Sequence, residues 1–79
     1  MKAKITITLK KGVLDPQGKA IEGALHSLGF PRVEHVRQGK YIELELPERD
    51  QEAARAAVEA MCRKLLANIV IENYEIELG

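Results

Sequence analysis

The sequence predicts an α+β fold, a ferredoxin-like β-α-β-β-α-β sandwich with a four-stranded antiparallel sheet and two helices on one face. Near both ends of the 79-residue chain, apolar and polar residues alternate with the period of two that is typical of a half-buried strand. Two segments between these ends carry apolar residues at helical spacing. The same order of elements therefore occurs twice along the chain.

The first unit is a strand followed by a helix. Residues 5–9 alternate between apolar and polar side chains, which predicts the strand. Asp15 can accept hydrogen bonds from the free N–H groups at a helix start, and Pro16 suits the first helical position. Gly29 suits the left-handed turn that ends a helix. The predicted apolar stripe of this helix consists of Ala20, Ile21, Ala24, Leu25 and Leu28.

A β-hairpin is predicted in the middle of the chain. Its arms are residues 33–38 and 41–46, and its turn lies at Gly39 and Lys40, where the glycine would supply a positive φ. The second arm alternates cleanly, whereas the first changes phase. We therefore expect a bulge near His35.

The second unit ends with a helix and a strand. Asp50 can cap a helix that extends to about residue 67, and the alternation over residues 74–78 predicts the last strand. The predicted buried face of the helix consists of Ala54, Ala57, Val58, Met61, Cys62, Leu65 and Leu66. The other face of the sheet would be solvated, or would stack on another sheet in an oligomer. It would carry Thr6, Thr8, Tyr41, Glu43 and Glu45.

Composition excludes several function classes. Twelve basic residues balance twelve acidic ones, so net charge does not favour nucleic acid or an anionic membrane as a partner. The chain has one cysteine and no apolar run near the roughly 20 residues that span a bilayer. We expect a soluble cytoplasmic protein with a single domain over residues 1–79. Because so small a domain has a small core, a homodimer or homotetramer is favoured.

Groups typical of catalysis are sparse. Cys62 lies among apolar residues of the second helix, where an inert core thiol is expected. His26 and His35 have no nucleophile at a suggestive spacing and are interpreted as surface residues, and the three groups together do not make a zinc site. Lys10 and Lys11 flank a helix start, but the nearby glycines match neither the dinucleotide fingerprint nor the P-loop. A solvated lysine pair is favoured over a phosphate site.

Helix capping leaves most of the loop at residues 11–18 unexplained. The loop combines with four further motifs, which together cover nearly the whole chain: Lys11-Gly12-Val13-Leu14-Asp15-Pro16-Gln17-Gly18, Ala20-Ile21, Leu28-Gly29-Phe30, Val36-Arg37-Gln38-Gly39-Lys40 and Leu65-Leu66-Ala67-Asn68. This combination resembles the PurS family, the small subunit of the three-part phosphoribosylformylglycinamidine synthase. One departure is Ile69, where the family pattern has proline.

The resemblance implies a role without catalysis. In that family the complex converts formylglycinamide ribonucleotide, ATP and glutamine to formylglycinamidine ribonucleotide, ADP, phosphate and glutamate. A PurQ-type glutaminase hydrolyses glutamine, and a PurL-type synthetase holds ATP and magnesium. The chain would have no catalytic residue, metal or cofactor of its own, and would join the two subunits and support ammonia transfer. No nucleic acid or membrane partner is implied.

Two exposed loops are the candidate partner-binding segments, residues 11–18 and 37–40. Val13 and Leu14 are candidate apolar anchors, and Gln17, Arg37 and Lys40 are candidates for polar specificity. The full set is Lys11, Gly12, Val13, Leu14, Asp15, Pro16, Gln17, Gly18, Arg37, Gln38, Gly39 and Lys40. The alternative is that Val13 and Leu14 plug the end of the sheet core.

Two rival functions use the same topology. An ACT-like regulatory domain would bind a small molecule between paired domains. An acylphosphatase-like enzyme would need an arginine in the loop after the first strand, where this sequence has Lys11. Neither rival explains the five motifs.

Overall fold

The computed structural model describes residues 1–79 and confirms an α+β architecture with two helices and an antiparallel sheet. Its elements are β1 (Lys2–Leu9), α1 (Pro16–Ser27), β2 (Gly39–Glu45), α2 (Gln51–Met61), a π-helical turn (Cys62–Leu66) and β3 (Glu72–Leu78). The sheet has three strands in the order β2-β1-β3. Neither helix has the length and apolar character needed to cross a membrane.

The core lies between β1 and α2. Alternation in β1 places Ile5 and Ile7 on the buried face, as predicted, together with Ala3, which precedes the predicted segment. Ile5 pairs with Ile42 and Ile76 on the neighbouring strands. Asp50 caps α2, because its carboxylate accepts from the Ala53 N–H at 3.1 Å. The buried apolar residues are Ala3, Ile5, Ile7, Leu46, Ala54, Val58, Cys62 and Ala67.

The predicted hairpin and fourth strand are absent from this chain. Residues 33–38 form no strand, and Gly39 begins β2 without a positive φ. The reason is local hydrogen bonding, because the Val36 and Gln38 N–H groups donate to the carboxylates of Glu22 and Asp15. These donors are therefore not available to a β-ladder. His35 has a φ of 56°, so the backbone deviates where a bulge was expected, but in an irregular segment.

Helix α1 does not lie on the sheet beside α2. It makes no extended packing contact with any strand, and Gly18 is its one buried residue. With the returning segment 33–38, it forms an arm that gives the chain dimensions of 48 × 24 × 15 Å. The prediction of two helices on one face therefore holds for α2 alone within this chain. Periodicity predicts that a helix has an apolar face, but not which surface covers that face.

The end of the second helical segment also differs from the prediction. The α-helix ends at Met61, and the π-helical turn that follows is closed by the Ala67 N–H and the Cys62 carbonyl, 2.9 Å apart. A π-turn has more residues per turn, so it rotates the following side chains out of register with the α-helical stripe. Leu65, predicted to be buried, is 83% exposed.

Candidate docking surface

The loops at residues 11–18 and 37–40 meet at one end of the sheet. Asp15 joins them, because one carboxylate oxygen accepts from the Gly18 N–H at 2.8 Å and the other from the Gln38 N–H at 2.7 Å. The first bond is the predicted helix cap. The second is a long-range contact that sequence alone did not predict. Asp15 is itself buried, so the two loops share a buried carboxylate.

Arg37, Gln38 and Gln17, among the predicted polar residues, are hydrogen-bonded within the chain. Nη2 of Arg37 donates to the carbonyl oxygens of Leu9 at 3.0 Å and Lys10 at 3.2 Å. Nε2 of Gln38 donates to Oε1 of Gln17 at 3.0 Å. These contacts tie the loops to the end of β1 and to each other. They give Arg37 a role in shaping the surface, in addition to any contact it makes with a partner.

A cleft of about 280 Å³ lies between the joined loops and the end of the sheet. Lys40 and Glu72 both line it, with 3.6 Å between ammonium and carboxylate, and Gln17 and Gln38 line it as well. Glu72 also accepts from the Asn68 N–H at 2.7 Å. Because these polar groups are paired with one another, they stabilise the walls of the cleft and leave few free donors or acceptors for a ligand.

The candidate apolar anchors are accessible. Leu14 is 72% exposed and Val13 is half-buried, and neither belongs to the buried core. Together with Val36 they line a hollow of about 180 Å³ on the surface. The alternative that both residues plug the sheet core is therefore not what the structure shows for Leu14. An exposed leucine on a loop held by hydrogen bonds offers apolar area that a partner surface can bury.

Gly18 is required by the close approach of α1 to the returning segment 33–38. A Cβ atom at this position would overlap the Val36 carbonyl oxygen and would lie 2.7 Å from Oδ2 of Asp15. Gly23, in the same helix, has open space around its Cα. The glycine in the loop motif is thus explained by packing between the arm's two segments. Gly12, with a φ of 88°, is explained by the left-handed conformation of its turn.

Hydrogen bonds lower the pKa of Asp15. The largest cause is the Gln38 N–H, followed by the Gly18 N–H, and the positive charge of Arg37 acts in the same direction. A carboxyl group whose pKa is lower in the folded state stabilises the fold above its ordinary pKa. That contribution is lost as the pH falls through the lower, folded-state value.

This shift predicts an acid-dependent loss of stability that Asp15→Asn removes. The urea midpoint of the wild-type chain should fall more steeply than that of the variant as the pH drops below about 4. Urea titrations near neutral pH and at about pH 3 measure the difference. Asp50→Asn is the matched control, because Asp50 accepts one cap bond and joins no second segment. Equal pH dependence in the wild type and Asp15→Asn would contradict the prediction.

Cys62 and the histidines occupy the environments that were expected. Cys62 is fully buried, and burial raises the pKa of its thiol, which disfavours the reactive thiolate. His26 and His35 are exposed. Nε2 of His26 donates to the Val33 carbonyl oxygen at 2.7 Å, so this side chain closes the tip of the arm.

Sequence reasoning missed a second class of surface residue, the exposed apolar side chains outside the two loops. On the arm, Leu28 is 72% exposed and Phe30 is 56% exposed. On the segment that leads to β3, Leu65 and Val70 are also highly exposed. Leu28 belongs to the apolar stripe of the helix, and that stripe by itself predicts burial in the core. A monomer rarely leaves so many large apolar side chains in water.

Comparison with known proteins gives one consistent result. The model of the family PurS, phosphoribosylformylglycinamidine (FGAM) synthase, matches residues 2–79. A phosphoribosylformylglycinamidine synthase subunit PurS from Bacillus subtilis is 48% identical over 77 residues, which cover 98% of this chain and 90% of the relative.

Solved structures agree with the sequence comparison. The crystal structure of PurS from Methanocaldococcus jannaschii matches with a TM-score of 0.86 at 49% identity, over 96% of this chain and 92% of that chain. A chain in the structure of PurLQS from Thermotoga maritima matches with a TM-score of 0.87 at 36% identity, over 96% of this chain and 93% of that one.

Proposed function

This chain belongs to the PurS family of phosphoribosylformylglycinamidine synthase, and we propose that it joins the glutaminase and synthetase subunits of that enzyme. The observation that carries the proposal is the match over 96% of this chain to a protein solved within PurLQS. The chain would act in the cytoplasm, in purine biosynthesis, with residues 1–79 as one unit.

The catalytic groups would lie in the partner subunits. A PurQ-type glutaminase releases ammonia from glutamine, and a PurL-type synthetase uses it, with ATP and magnesium, to convert formylglycinamide ribonucleotide to formylglycinamidine ribonucleotide. The chain contributes no nucleophile to this scheme, since its one cysteine is buried in the core. It holds no cofactor in the proposed complex and has no activity in isolation.

The physical problem that this subunit solves is the loss of ammonia to water. Ammonia released far from the synthetase site is diluted and protonated, whereas docking of the two subunits keeps its concentration high at the second site. A docking subunit needs a surface whose shape is already fixed, because ordering a loop on binding costs free energy. The hydrogen bonds of Asp15 and Arg37 fix such a surface before binding.

The proposed docking surface consists of the loops at residues 11–18 and 37–40. Leu14 supplies an exposed apolar anchor beside the half-buried Val13. Lys40 adds a half-exposed charge at the mouth of the cleft, and Gln17 and Gln38 add amide groups. An apolar centre with a polar rim is the usual anatomy of a specific interface.

We further propose a homodimer, or a dimer of dimers, in which the arm of one copy covers the sheet of another. Ile42 and Leu44 lie on the face of the sheet that carries α2. They stay half-buried because α2 packs nearest β3, at the opposite edge of the sheet from β2. The apolar stripe of α1 includes Ile21, Leu25 and Leu28, and this half-buried sheet face in a second copy would cover it. A mutual exchange of arms closes with two-fold symmetry, and it places two helices on each sheet as in the ferredoxin-like arrangement.

The test is glutamine-dependent ADP formation by matching synthetase and glutaminase subunits, with and without this chain. We expect the chain to restore the glutamine-driven rate and to leave the ammonia-driven rate almost unchanged. That result separates coupling of the two sites from a general effect on the synthetase. If neither rate responds to the chain, the proposed function is wrong, and a ligand-binding role of the ACT type becomes the better hypothesis.

A further inference from the structure

The arm is held by a series of bonds from side chains of α1 and its cap to the returning segment 33–38. At the tip, His26 donates to the Val33 carbonyl oxygen at 2.7 Å. Near the middle, Glu22 accepts from the Val36 N–H at 3.3 Å. At the base, Asp15 accepts from the Gln38 N–H at 2.7 Å. The two segments therefore form one body.

The base of the arm is also where it joins the sheet. Arg37 donates to the carbonyl oxygens of Leu9 and Lys10 at the end of β1, and Gln38 directly precedes β2. Asp15 precedes α1 and holds Gln38. Residues 15, 37 and 38 thus connect the start of α1, the end of β1 and the start of β2.

Within a single chain, few other contacts fix the direction of the arm. α1 has no extended packing against the sheet, and its side chains are mostly exposed. A helix without packing would pivot about its connecting loops unless polar contacts at its base resist that motion. From this geometry we propose that Asp15 and Arg37 are positioning residues, which hold the arm at one angle to the sheet. They thereby present residues 11–18 and 37–40 as one rigid surface.

Asp15→Asn isolates this role. The Gly18 and Gln38 N–H groups bond to different carboxylate oxygens of Asp15, so in Asp15→Asn one of these donors would face an NH₂ group, which cannot accept. Asparagine remains a good helix cap. Asp50→Asn makes the same chemical change at the cap of α2, where the carboxylate has one partner. Arg37→Ala is a second variant, which removes the anchor to β1 and leaves the cap intact.

The experiment measures the distance distribution between spin labels on the arm and the sheet, in the full chain carrying Ile21→Ser and Leu28→Ser, so that no second copy holds the arm. Labels are attached at Arg32→Cys and Glu45→Cys, both exposed, while Cys62 stays unlabelled because it is buried. An excess of unlabelled chain suppresses distances between copies. We expect one narrow distribution for this background and Asp50→Asn, and a broadened one for Asp15→Asn and Arg37→Ala. Unchanged distributions in both variants would overturn the inference.

A second measurement connects the arm to docking, and this step rests on the proposed function. The concentration of chain that gives half-maximal glutamine-dependent activity should rise in Asp15→Asn, while the maximal rate at saturation is retained. A merely structural role would lower the folded fraction without broadening the distance distribution of the folded chain. A broadened distribution with unchanged half-activation would overturn the claimed link to docking. If the wild-type chain does not activate the subunits, the proposed function fails, and the distance measurement alone judges the positioning role.

Discussion

Replacement of both Val13 and Leu14 with serine is expected to weaken docking to the partner subunits strongly and to leave the fold intact. Burial of one leucine side chain contributes about 1.5–3 kcal/mol, so the loss of Leu14 alone corresponds to at least about tenfold in affinity. Neither side chain belongs to the buried core. The measurement is the concentration of chain that gives half-maximal glutamine-dependent activity, with circular dichroism as a check on folding.

Val70→Ser is the matched control for this prediction. Val70 is 77% exposed, so the variant makes a similar change in an exposed apolar side chain, but it lies outside both loops. If Val70→Ser raises the half-activating concentration as much as the double variant does, then loss of any exposed apolar side chain weakens docking. In that case residues 13 and 14 have no special role. If the double variant behaves as the wild type, the loops are not the docking surface.

Replacement of Ile21 and Leu28 with serine is expected to convert the chain to a monomer with a folded sheet. Burial of one such side chain contributes about 1.5–3 kcal/mol, and two-fold symmetry counts each residue twice in a dimer. The arm contributes no residue to the core around β1 and α2, so the core should persist. Sedimentation equilibrium gives the mass, and the circular dichroism spectrum reports the sheet.

The control for the arm is Leu65→Ser, which changes a highly exposed leucine on the π-helical turn. We expect this variant to form an oligomer of the same mass as the wild-type protein. The proposed exchange of arms would be contradicted if the Ile21→Ser and Leu28→Ser double variant also kept that mass. It would likewise be contradicted if the wild-type chain were already a monomer at the concentrations of the assay.

Local chemistry in the sequence predicted much of the fold. Asp15 and Pro16 mark the start of α1, and Asp50 marks the start of α2, because each aspartate caps the first free N–H groups. The alternation in β1 identified the buried residues Ile5 and Ile7. These predictions depend on neighbours within a few residues, and the structure confirms them.

The failures concern contacts between distant residues. The pattern of residues 33–38 predicts a strand, but the Val36 and Gln38 N–H groups bond to carboxylates that precede or lie on α1. Leu65 matched the helical stripe, and a π-helical turn moved it to the surface. The apolar stripe of α1 predicts a core face, but no strand of its own chain packs extensively against that stripe. Periodicity is a property of one segment and does not identify what that segment contacts.

The candidate site was predicted in part. The loops at residues 11–18 and 37–40 both contain residues that helix capping and turn formation leave unexplained. The structure brings these loops together through the Asp15 carboxylate. It also shows that Arg37 and Gln38 bond within the chain, which the sequence did not indicate.

The measurement that tests the central claim most directly is amide hydrogen exchange of this chain, alone and after mixing with the glutaminase and synthetase subunits. The N–H groups of Lys11, Gly12 and Leu14 have no hydrogen-bond partner within the chain, so they report directly on coverage of the loop. We expect slower exchange across residues 11–18 and 37–40 in the mixture. Protection confined to the outer face of the sheet, around Thr6 and Glu43, with unchanged exchange in both loops, would contradict the account.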